Sequence, residues 1–284
     1  MKLKEVFEKS VQFFKDKRLE TPRLDAELLI AHALNFERVQ LYIKYEQPLK
    51  EVEVALCREA IRRRALGEPV AYINGEKGFY GELFKVGPGV LIPRPETEII
   101  VDEALKFLKT HPVENPKILD LGAGSGCIGL SLLKNNTHAT LVSLEKSVEA
   151  VKYFEINELS LELNYRSKLI CADIEDFDFS GMGLFDLIVS NPPYVALNDP
   201  KLEINVKNFE PHAALFAEEQ GMGLLKSWLK KSAPLLKSGA MLLFEIGSDQ
   251  REKVISYALD QNIFSNVQII KDLSGLDRTL KCIR

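Results

Sequence analysis

The chain is sparing with the residues that build metal, redox and disulfide chemistry: 284 residues include only four cysteines and four histidines. Cys57, Cys127, Cys171 and Cys282 are scattered, form no CxxC pair and mostly have apolar neighbours, so they read as small buried hydrophobes. His32, His111, His138 and His212 share no ligand spacing, and no metal site is expected. Also missing is any apolar run of the roughly 18 residues a membrane helix needs, and the N-terminus MKLKEVFEKS lacks a signal peptide's apolar stretch. A cytoplasmic protein with no membrane association is expected. A basic excess is absent too: 37 Lys and Arg face 41 Asp and Glu, a net charge of -4. Proteins that bind by neutralising many phosphates usually show the opposite balance, so direct nucleic-acid binding is not expected. Of the local basic patches the best, Arg58, Arg62, Arg63 and Arg64, reads first as a solvated helix surface.

What is present is an ordinary globular composition, 46% hydrophobic and 27% charged, in a chain long enough for one large domain and a smaller companion. Residues 1–66 carry apolar positions at helical spacing, as in Val6, Val11 and Phe14, then Leu28, Leu29, His32 and Ala33. Within them Thr21 reads as an N-cap and Pro22 as a first helical position. Residues 67–90 hold glycines at 67, 75, 78, 81, 87 and 89 and aromatics at Tyr72, Phe79, Tyr80 and Phe84, the signature of a hairpin linker built from turns and short strands. Residues 91–284 form the large domain. After LIPRPETE the run Ile99 to Leu108 is helical, and then apolar strands alternate with helical segments: KILDLG, TLVSLE, KLICAD, FDLIVS and AMLLFEIG. That order specifies an α/β fold with a doubly wound parallel sheet. VQIIKDL and TLKCIR, separated by Gly275, add an antiparallel hairpin at its edge.

Two motifs carry chemistry. The strand holding Asp120 runs into Gly122-Ala123-Gly124-Ser125-Gly126 and then into a helical run from Cys127, the strand, turn and helix order that nucleotide-type cofactors require. The spacing is GxGxG, and the third glycine of the dinucleotide pattern falls at Cys127, which makes phosphate cradling less favoured. Glu145 ends the next strand, where a carboxylate accepts ribose hydroxyls, and Asp173 with Ile174 ends the third, within reach of an adenine edge. A ribose and adenine binder without a diphosphate clamp points to S-adenosylmethionine. The second motif, Asn191-Pro192-Pro193-Tyr194, ends the fourth strand, at the edge where open α/β sheets bind ligands. Two prolines donate no backbone hydrogen bonds and hold the loop rigid, leaving its carbonyls to accept N–H groups from an amide or exocyclic amine. An amide nitrogen is a poor nucleophile. If the Asn191 oxygen and the Pro192 carbonyl each accept one of its protons, the nitrogen is aligned toward a methyl donor and stabilised as positive charge develops. Pro193 stiffens the turn and Tyr194 stacks on the flat group.

These residues resemble the HemK/PrmC family of protein-(glutamine-N5) methyltransferases, which modify peptide chain release factors. Beside DLGAGSG and NPPY, the likeness rests on GEPVAYINGE at 67–76, VLIPRPETE at 90–98, FEPHAAL at 209–215, FEIGSDQ at 244–250 and DLSGLDR at 272–278. The resemblance implies a Rossmann-like class I S-adenosylmethionine methyltransferase sheet, a helical N-terminal domain over 1–66 that docks the protein substrate, and a target glutamine in the Gly-Gly-Gln motif of class I release factors. NPPY is shared with adenine-N6 methyltransferases of nucleic acids, and a ribosomal-protein glutamine is the other alternative; IPRPETE favours the release factor. A non-catalytic binder of the same cofactor is a further alternative, disfavoured by the intact NPPY. Two positions depart from the family's habit: Tyr80-Gly81 stands where Trp-Gly is usual, and Met222-Gly223-Leu224 where Asp-Gly-Leu is common.

Overall fold

The computed structural model describes residues 1–200 and 202–284, and the chain divides into two compact units. The first comprises Met1–Glu76 with Glu203–Phe209. Its helices are Leu3–Asp16, Pro22–Ala33, Arg38–Ile43, Glu51–Ala65, Val70–Asn74 and Ile204–Phe209. Leu3, Val6, Phe7, Ser10 and Phe14 fall on one face of the opening helix at spacings of three and four. They pack with Leu29, Ile30, Leu41, Cys57 and Ile61 into a core of the unit's own.

One expectation is refined in this unit and one is corrected. Thr21 holds the N-cap position ahead of Pro22, as read, and its carbonyl accepts Asp25 N at 2.9 Å, but its hydroxyl caps no backbone N–H and donates to Asp25 Oδ1 at 2.7 Å instead. Asp25 is buried and charged and already receives Arg64 Nε at 2.7 Å, so its carboxylate is the stronger partner for the hydroxyl. The glycine-rich stretch is also not all turn and strand. Val70–Asn74 is a helical turn, closed by Gly75 in the left-handed conformation (φ +73°). Of the basic cluster, Arg62 pairs with Glu59 at 2.7 Å, Arg63 with Glu68 at 2.5 Å and Arg64 with Asp25.

The second unit comprises Lys77–Leu202 and Glu210–Arg284. Its strands, counted from the short hairpin, are β1 (Glu76–Phe79), β2 (Glu82–Lys85), β3 (Lys117–Leu121), β4 (Thr140–Glu145), β5 (Ser167–Cys171), β6 (Phe185–Ser190), β7 (Val195–Ala196), β8 (Phe216–Ala217), β9 (Leu236–Glu245), β10 (Asn266–Lys271) and β11 (Asp277–Ile283). Tyr80 (φ +48°) and Gly81 (φ +81°) join β1 to β2 with both central residues left-handed, the two-residue turn that matches strand twist. The Tyr80 hydroxyl donates to Asp102 Oδ1 at 2.8 Å, so the departure from Trp-Gly keeps the glycine the turn demands and an aromatic with its own anchor.

The main sheet has seven strands in the order β10-β11-β9-β6-β3-β4-β5. The five from β9 to β5 are parallel, and β11 runs antiparallel between β9 and β10. This is the doubly wound α/β sheet, with the expected hairpin at one edge. Side chains alternate between its faces along each strand. Leu187, Val189, Met241 and Leu243 join helices Glu98–Thr110 and Cys127–Asn135 on one side. Ile188, Leu242 and Phe244 join Gly223–Ser232 and Arg251–Asp260 on the other. Both faces are covered, which is why these strands read as unbroken apolar runs. Cys57 and Cys282 are buried as expected, but Cys127 is only partly so and Cys171 is exposed, because it ends the edge strand β5.

Candidate active site

Chain order reverses between β3 and β6: from β3 the sheet continues to β4 and β5 on one side and to β6 on the other. Such a reversal opens a crevice beyond the strands' C-terminal ends. Leu121 is in register with Ser190, whose hydroxyl donates to Leu121 O at 2.7 Å, so the glycine loop and Asn191 leave the sheet side by side.

Gly122, Gly124 and Gly126 all have positive φ, +69°, +57° and +81°. Their surroundings differ. A Cβ on Gly122 would meet the Trp228 ring at 2.8 Å, and one on Gly126 would meet Leu130 and Phe154 at 2.7 and 2.8 Å. On Gly124 its nearest neighbour would be Val90 Cγ2 at 3.9 Å, since this residue borders the cleft. The loop's N–H groups are largely spent inside the protein. Those of Gly122 and Ala123 go to Leu144 O, that of Gly126 to Ala123 O, and that of Gly124 to Glu145 Oε2 at 2.9 Å. A loop so engaged has few donors for a diphosphate.

The cleft encloses about 980 Å³, its open mouth included. Gly122, Ala123, Gly124, Ser125, Glu145, Asp173, Ile174, Asn191 and Pro193 all line it. Glu145 lies at the end of β4, its two oxygens accepting Gly124 N and Ser147 N at 2.9 and 2.8 Å; each has a further lone pair to offer. Asp173 lies two residues past β5, with Lys146 Nζ 3.6 Å away. Four candidates sit behind the lining. Gly126 faces the core, Pro192 is buried, Tyr194 turns inward, and Asp120 is buried in β3. Asp120 Oδ2 accepts Gly129 N at 3.0 Å and Oδ1 has no protein partner. Burial pushes the Asp120 carboxyl up to about 7, with Glu145's charge adding to the shift and the Gly129 hydrogen bond opposing it.

Where the chain leaves β6, Asn191 Nδ2 donates to Thr97 Oγ1 at 3.2 Å, and Thr97 Oγ1 donates to Glu245 Oε2 at 2.6 Å. Tyr194 Oη donates to the other oxygen, Oε1, at 2.8 Å, while its carbonyl accepts Gln250 Nε2 at 3.0 Å. The tyrosine is therefore fixed from the interior at both ends. Burial raises the Tyr194 hydroxyl's pKa, and the adjacent Glu245 carboxylate raises it further. Two further lining residues, Ile92 and Arg94, are held by buried Glu210, whose Oε2 accepts Ile92 N at 3.1 Å and whose Oε1 accepts Arg94 Nη2 at 2.5 Å.

Reading the motifs missed four supports: Thr97, Glu210, Glu245 and Asn157. Asn157 is buried in helix Val148–Ser160; its amide donates to Ser125 O at 2.9 Å and to Lys85 O at 3.0 Å and accepts Lys85 N at 2.6 Å. Thr97, Glu210 and Glu245 lie within quoted segments, yet nothing in those segments marks which residue faces inward; Asn157 lies in an ordinary helical stretch and carried no signal.

Two family models match: one described as the PrmC N-terminal domain over residues 5–75, and one described as the methyltransferase small domain over residues 98–225. A release factor glutamine methyltransferase of Chlorobaculum tepidum is 36% identical over 98% of this chain and 96% of its own length. One of Leptospira interrogans is 37% identical over 96% and 95%. Among solved structures, a methyltransferase from Pyrococcus furiosus superposes with a TM-score of 0.51 at 18% identity, covering 80% of this chain and 97% of that one, and shares the fold. With such identity sustained from end to end, this chain is an enzyme, a methyltransferase, and belongs to the release factor glutamine methyltransferase family.

Proposed function

We propose that the enzyme transfers a methyl group from S-adenosylmethionine to the side-chain amide nitrogen, N5, of the glutamine in the Gly-Gly-Gln motif of class I peptide chain release factors. The observation that carries this reading is the placement of Asn191 on the same cleft as Gly124 and Glu145, with its NH₂ already committed to Thr97. The residues present suit this cofactor: a carboxylate for ribose hydroxyls, an open space over Gly124 that a Cβ would fill, and a loop with few spare donors for phosphate. Glu145 would hold the ribose, Asp173 and Ile174 the adenine, and the glycine loop the amino-acid part, with Asp120 behind it. When bound, the cofactor supplies an electrophilic methyl on a sulfonium.

The chain's own residues do the rest. Asn191 Oδ1 and the Pro192 carbonyl accept the two N–H bonds of the target amide, which fixes the nitrogen's direction and stabilises the charge it gains. Once methylated the nitrogen is acidic, so its proton needs no strong base. Residues 1–66 are assigned to holding the protein substrate; Val6, Phe13, Val54 and Ile61 line an apolar groove there, edged by Lys9, Lys17 and Arg58. Among the described residues no helix is long and apolar enough to cross a membrane, and a cytoplasmic location is part of the proposal.

Mass spectrometry of a purified release factor incubated with enzyme and cofactor tests it. One methyl group is expected on the Gly-Gly-Gln glutamine and none on duplex DNA or bare RNA. Methylation of DNA adenine at a comparable rate, or of a ribosomal-protein glutamine in preference to the release factor, would overturn the assignment.

A further inference from the structure

The acceptor end of the cleft is backed by a chain of side chains that no motif singled out. Thr97 and Glu245 are almost wholly buried, at 2% and 1% exposure, so their hydrogen bonds must be made within the protein. Thr97 has one hydroxyl proton, and the 2.6 Å contact gives it to Glu245. The hydroxyl oxygen can then only accept, so Asn191 must present its NH₂ to Thr97 and keep Oδ1 for the cleft. Were Glu245 to carry a proton, it could donate to Thr97, Thr97 could donate to Asn191 Oδ1, and the amide would turn its NH₂ outward. A donor there would repel the N–H bonds of a target amide.

We infer that Glu245 is a positioning residue: its negative charge, relayed through the Thr97 hydroxyl, sets which end of the Asn191 amide faces the target. This rests on the reading of Asn191 as the acceptor for the substrate nitrogen. Several groups face Glu245. Tyr194 donates to it from the loop after β6, and Thr97 and Glu96 lie ahead of helix Glu98–Thr110. Arg278 of β11, paired with Asp272 at 3.2 Å, contributes a compensating positive charge, and the Cys127 thiol feels the carboxylate from its helix. Burial holds Glu245 above the usual carboxylate range, with Glu96 adding to the shift; the Thr97 and Tyr194 hydrogen bonds and Arg278 pull it back. The relay therefore works above the Glu245 pKa and fails as pH falls through it.

Three variants of the full-length protein test this: Thr97→Ser, which keeps the hydroxyl; Thr97→Val, which keeps the shape; and Glu245→Gln, which keeps the size and removes the charge. In single-turnover methyl transfer with saturating cofactor, Thr97→Ser should stay near the wild-type rate. Thr97→Val and Glu245→Gln should each fall on the order of 10- to 100-fold, the worth of one hydrogen bond to a charged group, with cofactor affinity little changed. The wild-type rate should drop toward acid pH, and Glu245→Gln should lose that limb. Transfer by Thr97→Val at the wild-type rate, or Thr97→Ser as slow as Thr97→Val, overturns the relay.

A second readout needs no substrate. The Asn191 side-chain ¹⁵N–¹H signals of the protein alone should show slowed exchange that vanishes in Thr97→Val, and unchanged signals in that variant overturn the relay. If the wild type methylates no release factor while these signals respond, the functional reading has failed and the relay stands.

Discussion

Replacing Gly124 with alanine separates a glycine that serves the ligand from glycines that serve the fold. At φ +57° an L residue is strained by about 1–2 kcal/mol. The added Cβ would meet nothing nearer than Val90 Cγ2 at 3.9 Å, an ordinary contact, so no overlap adds to that strain. At a few degrees per kcal/mol for a unit of this size, the melting temperature of Gly124→Ala should fall by roughly 2–8 °C. Gly126→Ala carries the same strain and drives a methyl to 2.7 Å from Leu130 and 2.8 Å from Phe154, overpacking that adds about 1–3 kcal/mol. Its melting temperature should fall further. Cofactor affinity should rank the other way. The methyl of Gly124→Ala occupies cleft space, so the folded variant should bind S-adenosylmethionine at least about tenfold more weakly, a loss of about 1.4 kcal/mol, and Gly124→Val should show no binding. Calorimetric titration beside a thermal melt reads both quantities. Wild-type-like affinity in folded Gly124→Val would refute the assignment of this loop to the cofactor. Equal destabilisation of Gly124→Ala and Gly126→Ala would refute the geometric argument.

Three further outcomes follow from the site. Glu145→Ala should weaken cofactor binding by about 1.5–3 kcal/mol, the value of a charge-assisted hydrogen bond, and an unchanged dissociation constant would remove Glu145 from the site. Asn191→Ala should keep the fold and most of the cofactor affinity while slowing single-turnover transfer on the order of 100- to 1,000-fold; transfer at the wild-type rate would end its catalytic role. Asp120, with its folded pKa of about 7 against an ordinary 3.8, favours the folded state while protonated. That contribution is complete below about pH 4 and is lost as pH rises through about 7. The advantage of Asp120→Asn over wild type in urea unfolding should therefore grow by up to roughly 4 kcal/mol between pH 4 and pH 8, and a constant difference would contradict the raised pKa.

The fold was legible because its strands are buried on both faces and so appear as apolar runs separated by helical spacing; even the edge hairpin around Gly275 could be read. The helical turn Val70–Asn74 escaped because five residues are too few for a period to emerge between glycines. Thr21 could be placed at its N-cap, but the partner of its hydroxyl could not be read, because that group obeys Asp25, a carboxylate itself held by Arg64, 39 residues further on. At the site, Glu145 and Asn191 could be placed because each ends a strand at the edge where ligands bind. Glu245 also ends a strand, and its role stayed hidden because it points at Thr97, a pairing that spacing along the chain does not encode.

That pairing also bears on how the enzyme comes into being. Thr97 and Glu245 are 148 residues apart, whereas Gly124 and Glu145 are separated by 21. Closing a flexible loop costs about (3/2)RT ln n, so the longer closure costs roughly 2 kcal/mol more chain entropy unless intervening strands have already shortened the path. The β3–β4 end of the cleft can thus form early from neighbouring segments, while the Asn191 end must wait for β6 and β9 to join the sheet. During refolding we expect cofactor binding to return before methyl transfer, and simultaneous recovery in a stopped-flow time course would rule that order out.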